Sequence, residues 1–161
     1  METTREKAKE DSHKNLVNNL QELLEKNYDA EKGFKKALEN STHPNLKEFL
    51  KFQAVKRNRF ATEIDKIIRN LNEKPKEKGS AAGSMHRAWI DVKNAFTGKD
   101  DDGILKECIR GDRASVDEYE EKLKKNDFPA NIETVLDKQL MDIKQTLSKV
   151  KSLENLEESW K

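Results

Sequence analysis

The stretch LKEFLKFQAVKRNRFATEIDKIIRNL, residues 46–71, decides the fold class of this chain. Its apolar residues recur every three or four positions, the spacing that places them on one face of an α-helix. The face also carries two polar residues, Gln53 and Arg57, near the middle of the predicted helix. Pro44 and Pro75 lie just outside its two ends. The stretch therefore predicts one long helix with an apolar stripe that polar residues interrupt at its centre.

The same spacing recurs in the remaining long segments, so each of them is predicted to be a helix. Asp11 or Ser12 is expected to cap the first helix, and Ser80 is expected to cap a shorter one that runs to Phe96. Pro129 suits the first turn of the last helix. The other stripes are Leu16, Leu20, Leu23, Asn27, Ala30, Phe34 and Ala37; Ala82, Met85, Trp89, Val92 and Phe96; Leu105, Ile109, Asp112, Val116, Tyr119 and Leu123; and Ile132, Leu136, Gln139, Ile143, Thr146, Val150 and Leu153.

Composition agrees with an all-α fold. The 161 residues include only 6 Gly and 3 Pro, too few for the many turns of a β-protein. Charged residues make up 39%, with 32 basic against 31 acidic side chains. This composition is typical of helices that have a narrow apolar stripe and a wide solvated face.

These elements predict four long helices and one shorter connector. Short loops after the first helix and before the last predict two antiparallel hairpins, with the connector crossing between them. The expected fold is a ferritin-like four-helix bundle with an extra crossover helix between the second and third long helices; a five-helix bundle is the alternative. The expected organisation is a flexible N-terminus (1–11), one helical domain (12–157) and a frayed tail (158–161).

Polar residues at stripe positions are the candidate functional residues. They fall near the midpoints of their helices, which predicts a polar layer across the waist of the bundle between two apolar layers. The layer comprises Asn27, Gln53, Arg57, Asp112 and Gln139 at stripe positions, with Glu31 beside the stripe of the first helix.

Two interpretations of this layer compete. Ferritin-like di-metal proteins direct Glu and Glu-x-x-His residues inward from four helices. In this sequence the one Glu-x-x-His pattern is Glu10-x-x-His13, which precedes the first apolar turn and is therefore expected to face solvent. Arg57 would moreover repel a cation. The favoured interpretation is a structural network in which Arg57 pairs with Glu31 or Asp112, with no metal, no cofactor and no catalytic residue.

Several function classes find no support in the sequence. It contains no long apolar run and no phosphate-binding or nucleophile motif, and its net charge is +1. A single cysteine, Cys108, cannot form an internal disulfide. We therefore expect a cytoplasmic protein without nucleic-acid or membrane partners, monomeric or weakly homodimeric.

Three segments carry distinctive patterns: residues 29–34 read DAEKGF, residues 79–91 read GSAAGSMHRAWID, and residues 106–112 read KECIRGD. They resemble, in the same order, the segments D-G-E-x-G-[FY], G-S-x-x-G-x-x-H-R-x-W-[IL]-D and E-C-E-R-G-E-D. These segments belong to an uncharacterised bacterial ferritin-like family of the domain-of-unknown-function type. The resemblance covers about residues 15–155 and implies a four-helix bundle without an established activity. The sequence departs from the family pattern at Ile109, at the pair Asp112-Arg113, which replaces a Glu-Asp pair, and at Leu147, and each departure removes a potential metal ligand.

The expected function is accordingly that of a small non-enzymatic bundle acting as an interaction or stress-associated protein, with a protein partner left open. The alternative is a divergent ferritin-like metal-binding carboxylate protein. A third alternative is an enzyme that uses Glu31, His86 or Cys108.

Overall fold

The computed structural model describes residues 3–76, 96–158 and 160–161, and these confirm the all-α fold class. Four helices follow one another along the chain: α1 (Thr4–Asn40), α2 (Pro44–Asn70), α3 (Asp101–Lys125) and α4 (Ala130–Lys149). A short 3-10 helix, Leu153–Glu157, follows α4. The described ranges contain no β-strand. The connector helix expected from Ser80, with Trp89 in its stripe, lies outside the described residues except for Phe96.

α1 begins earlier than the apolar pattern predicts. Thr3 accepts a hydrogen bond from the backbone N–H of Glu6, and the Glu6 side chain accepts one from the backbone N–H of Thr3. This reciprocal arrangement satisfies backbone donors that an isolated helix start leaves unpaired. The expected cap at Asp11 or Ser12 is therefore wrong, and the expected flexible segment from residue 4 to residue 11 is the exposed first part of α1.

Hydrogen bonds between helices set their relative directions. The Asp101 carboxylate accepts from the backbone N–H of Thr42, so α2 and α3 begin at the same end. Arg57 on α2 meets Asp112 on α3, which makes these two helices parallel. The three-residue connection after α1 makes α1 antiparallel to α2. α3 and α4 are likewise antiparallel, and Lys56 of α2 meets Asp142 of α4.

The interior contains two apolar clusters, one at each end of the helices. We name them by the loop that joins α1 and α2, which lies at the upper end. The upper cluster includes Phe34, Leu46, Phe49, Leu50, Ile104, Leu105, Val150 and Leu156. The lower cluster includes Leu20, Leu23, Phe60, Ile64, Tyr119, Leu136 and Ile143. Each fully buried aliphatic side chain contributes about 1.5–3 kcal/mol, so these clusters supply the main stabilisation of the fold.

The chain leaves α2 at the lower end and enters α3 at the upper end. After α2, the backbone of Lys76 exchanges two hydrogen bonds with the side chain of Gln21 on α1. Phe96, before α3, is buried in the upper cluster. Lys76 and Phe96 therefore lie at opposite ends of α2, which is about 40 Å long for its 27 residues.

The end of the chain packs against α2. Trp160 contacts the rings of Phe49 and Phe52 edge-on, with centroid distances of 5.2 and 5.3 Å. Lys161 forms an ion pair with Glu48 at 2.8 Å. Within the segment 158–161, which the sequence predicts to be frayed, Trp160 covers an aromatic surface at the upper end of α2.

Candidate functional site

A layer of buried polar side chains separates the two apolar clusters. Each of the four helices contributes to it from the middle of its apolar stripe: Asn27 from α1, Arg57 from α2, Asp112 and Tyr119 from α3, and Gln139 from α4. The helical spacing turns these side chains inward because each takes a position that the stripe otherwise gives to an apolar residue. We call this set the waist network.

Arg57 is the central charge of the waist network and is only 1% exposed. Its Nη1 donates to Oδ1 of Asn27 at 2.7 Å, and its Nη2 donates to Oδ1 of Asp112 at 2.9 Å. Burial raises the pKa of the Asp112 carboxyl, and the attraction of Arg57 opposes that rise. A guanidinium keeps its positive charge even when it is buried, so Arg57 needs a carboxylate partner, and Asp112 supplies it.

The network continues from Asn27 through the phenol of Tyr119. Asn27 Nδ2 donates to the Tyr119 hydroxyl at 2.7 Å, and that hydroxyl donates to Oε1 of Gln139 at 2.7 Å. Gln139 Nε2 then donates to Oε1 of Glu63 at 3.1 Å. Burial raises the pKa of Tyr119 to about 12, against the lowering effects of Arg57 and the Asn27 hydrogen bond.

All four links of this chain donate in the same direction, from the Arg57 cation to the Glu63 carboxylate. The path starts on α2, visits α1, α3 and α4 once each, and returns to α2. Hydrogen bonds arranged head to tail polarise one another in a low-dielectric interior. The chain of hydrogen bonds therefore fixes the positions of all four helices relative to one another along the bundle axis.

The structure brings together four of the six residues that the sequence singles out. Gln53 is buried one turn before Arg57, yet among the described residues it donates no hydrogen bond to the network and accepts none. Glu31 lies at the edge of the bundle, where it pairs with Lys35 at 2.9 Å and accepts from Asn58 at 3.1 Å. Arg57 therefore pairs with Asp112, and the alternative pairing with Glu31 is wrong.

Tyr119 is the member that sequence reasoning missed, because its ring was counted as part of an apolar stripe. The available signal was its spacing of seven residues from Asp112, which puts both side chains on the same face two turns apart. A hydroxyl at that position has to find partners when buried. Asn27 and Gln139 supply both of them.

Charged side chains flank the waist network at the seams between helices. Lys56 bonds to Asp142 at 2.7 Å and to Thr146 at 3.2 Å across the α2–α4 seam. Lys122 pairs with Glu22 across the α1–α3 seam. Within each of these pairs the two opposite charges neutralise each other. Asp112 remains the carboxylate nearest to Arg57.

The described ranges contain no group of three or more His, Cys, Asp or Glu residues placed to hold a metal ion. Cys108, one turn before Asp112, is buried. Burial raises the pKa of its thiol well above the usual value, and the charges of Asp112 and Glu107 add to the rise. A thiol held in this form is a poor nucleophile. His86, the remaining candidate of the enzyme hypothesis, lies outside the described residues.

No described helix combines the length and the apolar character needed to cross a membrane. A family model described as "Domain of unknown function (DUF2383)" matches residues 15–125, which run from within α1 to the end of α3. α4 and the C-terminal tail lie beyond the matched range. No curated protein matches the chain. No solved structure matches it either.

Proposed function

Because this chain belongs to the DUF2383 family, whose function is unknown, we propose that it is a non-enzymatic interaction protein with a ferritin-like bundle. In this proposal the waist network replaces a metal centre and holds four helices in register. The outer faces of the helices then contact a partner. The single observation that carries the proposal is the buried Arg57–Asp112 pair at 2.9 Å.

The charge at the waist favours this proposal over metal binding. Ferritin-like metal proteins gather four Glu and two His ligands in the bundle core. Here the buried charged members of the waist network are one carboxylate, Asp112, and one guanidinium, Arg57, whose formal charges cancel, while Glu63 accepts a hydrogen bond at the exposed end of the network. Two unit charges of like sign 4 Å apart repel by about 4 kcal/mol at the effective dielectric typical of proteins. A divalent cation beside Arg57 would meet at least that penalty.

The ferritin-like part of the proposal rests on the helix directions. α1 and α2 form one antiparallel hairpin, α3 and α4 form another, and α2 runs parallel to α3. A bundle with these directions needs one connection that crosses its whole length, as in ferritin-like folds. The described helices support this proposal because α2 ends at Asn70 at the lower end of the bundle and α3 begins at Asp101 at the upper end.

Metal content and metal-dependent melting test the proposal. The full chain is purified without added metal, and its iron, manganese and zinc are measured by elemental analysis. Thermal melts with and without manganese or zinc follow for the wild type, Arg57→Met and Lys56→Met. Lys56→Met is the matched control because it removes a cation at the same level from a pair nearer the surface.

We expect no stoichiometric metal and no metal-dependent shift in any of the three proteins. A ligand that binds the folded state raises its melting temperature, so binding would be visible in the melts. Stoichiometric metal in the wild type would overturn the proposal in favour of a divergent metal-binding protein. A metal-dependent rise in Arg57→Met but not in Lys56→Met would indicate that Arg57 blocks a vestigial metal site.

A further inference from the structure

The solvent-facing side of α2 carries a regular stripe of basic and apolar residues. Lys51, Val55, Arg59, Thr62 and Lys66 follow one another at intervals of three or four residues, and all five are exposed. This spacing aligns them along one line of the helix surface, about 22 Å long. We call this line the α2 stripe.

The α2 stripe is apolar near its upper end. The large hydrophobic side chains that stand exposed in the described ranges are Phe52, Val55 and Met141, at 38%, 65% and 62%. Val55 belongs to the stripe and Phe52 lies beside it on α2, whereas Met141 lies on α4. Single exposed apolar residues are ordinary, but contiguous apolar surface rimmed by polar residues is typical of a contact surface.

The cations of the α2 stripe lie outside the ion pairs of the described ranges. Lys51, Arg59 and Lys66 form no ion pair with any residue of the described ranges, while Arg69 pairs with Asp65 and Glu48 pairs with Lys161. α2 contains 7 basic and 3 acidic residues, although the whole chain contains 32 and 31. The excess of positive charge therefore belongs to this helix.

Building on the proposed function, we propose that the α2 stripe docks an acidic helical segment of a partner protein. Lys51 and Arg59 are eight residues apart, and Arg59 and Lys66 are seven apart, or about 12 and 10 Å along the helix. A partner helix with a carboxylate every seventh residue presents charges at nearly the same interval. An apolar side chain between the first two carboxylates would then lie against Val55.

Two other anionic partners fit the α2 stripe less well. A helix that lies in a membrane interface inserts its apolar face, but the apolar face of α2 is buried in the bundle. A nucleic acid is held mainly through its phosphates, and Val55 offers a phosphate no contact. Val55 and Phe52 therefore favour a protein partner.

The probe is a synthetic 22-residue helical peptide with Glu at three positions seven residues apart and Leu midway between the first two. Its binding to the full chain is measured by fluorescence anisotropy at low and high salt. The test variant is Lys51→Glu/Arg59→Glu/Lys66→Glu. The matched control, Lys9→Glu/Lys32→Glu/Lys124→Glu, makes the same change in net charge at exposed positions away from the stripe.

We expect the wild type and the control variant to bind the acidic peptide, with affinity falling as salt rises. The test variant should lose at least about tenfold, since each surface ion pair contributes modestly and three are reversed. It should instead bind a peptide in which Lys replaces the three Glu residues. Val55→Ser should weaken binding of the acidic peptide severalfold without changing its salt dependence.

Absence of peptide binding by the wild type, or an equal loss in the control variant, would overturn the inference. So would stripe-dependent binding of phosphatidylserine vesicles or polyuridylate in place of the peptide. These outcomes are distinguishable from failure of the proposed function, because metal content depends on the buried waist network and the stripe variants leave that network unchanged. Stoichiometric metal with intact peptide binding would overturn the metal-free bundle alone.

Discussion

Arg57 Nη2 lies 2.9 Å from Asp112 Oδ1, and both side chains are buried at the centre of the four helices. The pair joins two parallel helices that lie across the core from each other. Its charges cancel, but neither residue reaches enough solvent to be stable without the other. The pair therefore fixes the register of the two helices. Its effect on the free energy of unfolding can be measured when one partner is removed.

Replacing Arg57 by Met tests that constraint. Arg57→Met leaves the Asp112 carboxylate buried and without its cation, so the free energy of unfolding should fall by about 3–5 kcal/mol. Urea unfolding followed by circular dichroism measures the change. Arg69→Met is the control because Arg69 forms an exposed pair with Asp65 on the same helix, and it should cost less than about 1 kcal/mol. Equal and small losses in both variants would show that the waist network does not stabilise the fold.

Removing the Tyr119 hydroxyl tests the link between α1 and α4. Tyr119→Phe keeps the ring but leaves an Asn27 donor and a Gln139 acceptor without their partner, so the expected loss is about 1–3 kcal/mol. Tyr28→Phe removes the same atom from a half-buried ring and should change stability little. The denaturant midpoints of the two variants measure the difference, and Tyr119→Phe should have the lower midpoint. Similar midpoints would contradict the continuous chain of hydrogen bonds.

Alkaline pH should weaken the fold through the same phenol. The pKa of Tyr119 is raised to about 12 in the folded protein, whereas an unfolded tyrosine titrates near 10. The stabilisation is complete below about pH 10 and is lost as pH rises towards 12, by about 2–3 kcal/mol in total. The difference in unfolding free energy between wild type and Tyr119→Phe should shrink over this range. A difference that stays constant with pH would contradict the raised pKa.

Apolar spacing in the sequence predicted the four long helices of the described ranges and part of the waist network. Stripe spacing identifies Arg57 and Asp112 as interior because a polar residue in an apolar stripe has to face the core. It misjudged Glu31, one position beyond Ala30 in the stripe, where the side chain already reaches Lys35 and solvent. Consecutive side chains of an α-helix point about 100° apart, so Ala30 faces the core while Glu31 faces the edge of the bundle.

Two features depended on signals that hydrophobic periodicity does not carry. The start of α1 is set by the hydrogen bonds between Thr3 and Glu6, far from the first apolar stripe residue, Leu16. The position of Trp160 is set by Phe49 and Phe52, which are distant in sequence. Neither a local cap nor a long-range aromatic contact changes the spacing of apolar residues, so both had to come from the structure.

The docking of the tail predicts a measurable contribution from Trp160. Edge-on aromatic pairs contribute about 0.5–1.5 kcal/mol each, so Trp160→Ala should lower the free energy of unfolding by about 1–3 kcal/mol. Lys161→Ala removes only an exposed ion pair with Glu48 and should cost less than about 1 kcal/mol. Urea unfolding of both variants provides the comparison. If Trp160→Ala costs no more than Lys161→Ala, the packing of the tail does not contribute to stability.

The junction between the α1–α2 loop and α3 should be sensitive to acid. Asp101 accepts hydrogen bonds from the backbone N–H of Thr42 at 2.8 Å, from the Thr42 hydroxyl at 2.7 Å and from the backbone N–H of His43 at 3.1 Å. Burial acts to raise the pKa of Asp101, but the hydrogen bonds from Thr42 and His43 outweigh it, and the pKa is lowered. The stabilisation is therefore present above the pKa of an unfolded Asp, about 3.9, and is lost as pH falls through the lower folded value.

Asp101→Ala should consequently lower stability at neutral pH by about 1–2 kcal/mol, because hydrogen bonds of this kind contribute about 0.5–1.5 kcal/mol each. The deficit relative to the wild type should begin to shrink as the pH falls below about 4, and it should disappear as the pH falls through the lowered pKa of Asp101, where the wild-type carboxylate becomes protonated. Asp102→Ala is the matched control, since Asp102 lies in the same first turn of α3 and its ion-pair partner among the described residues is the exposed Lys106. Thermal melts of the three proteins across this pH range measure the effect. A deficit of equal size and equal pH dependence in both variants would assign it to the negative charge at the start of α3, and the contact with Thr42 would then contribute nothing of its own.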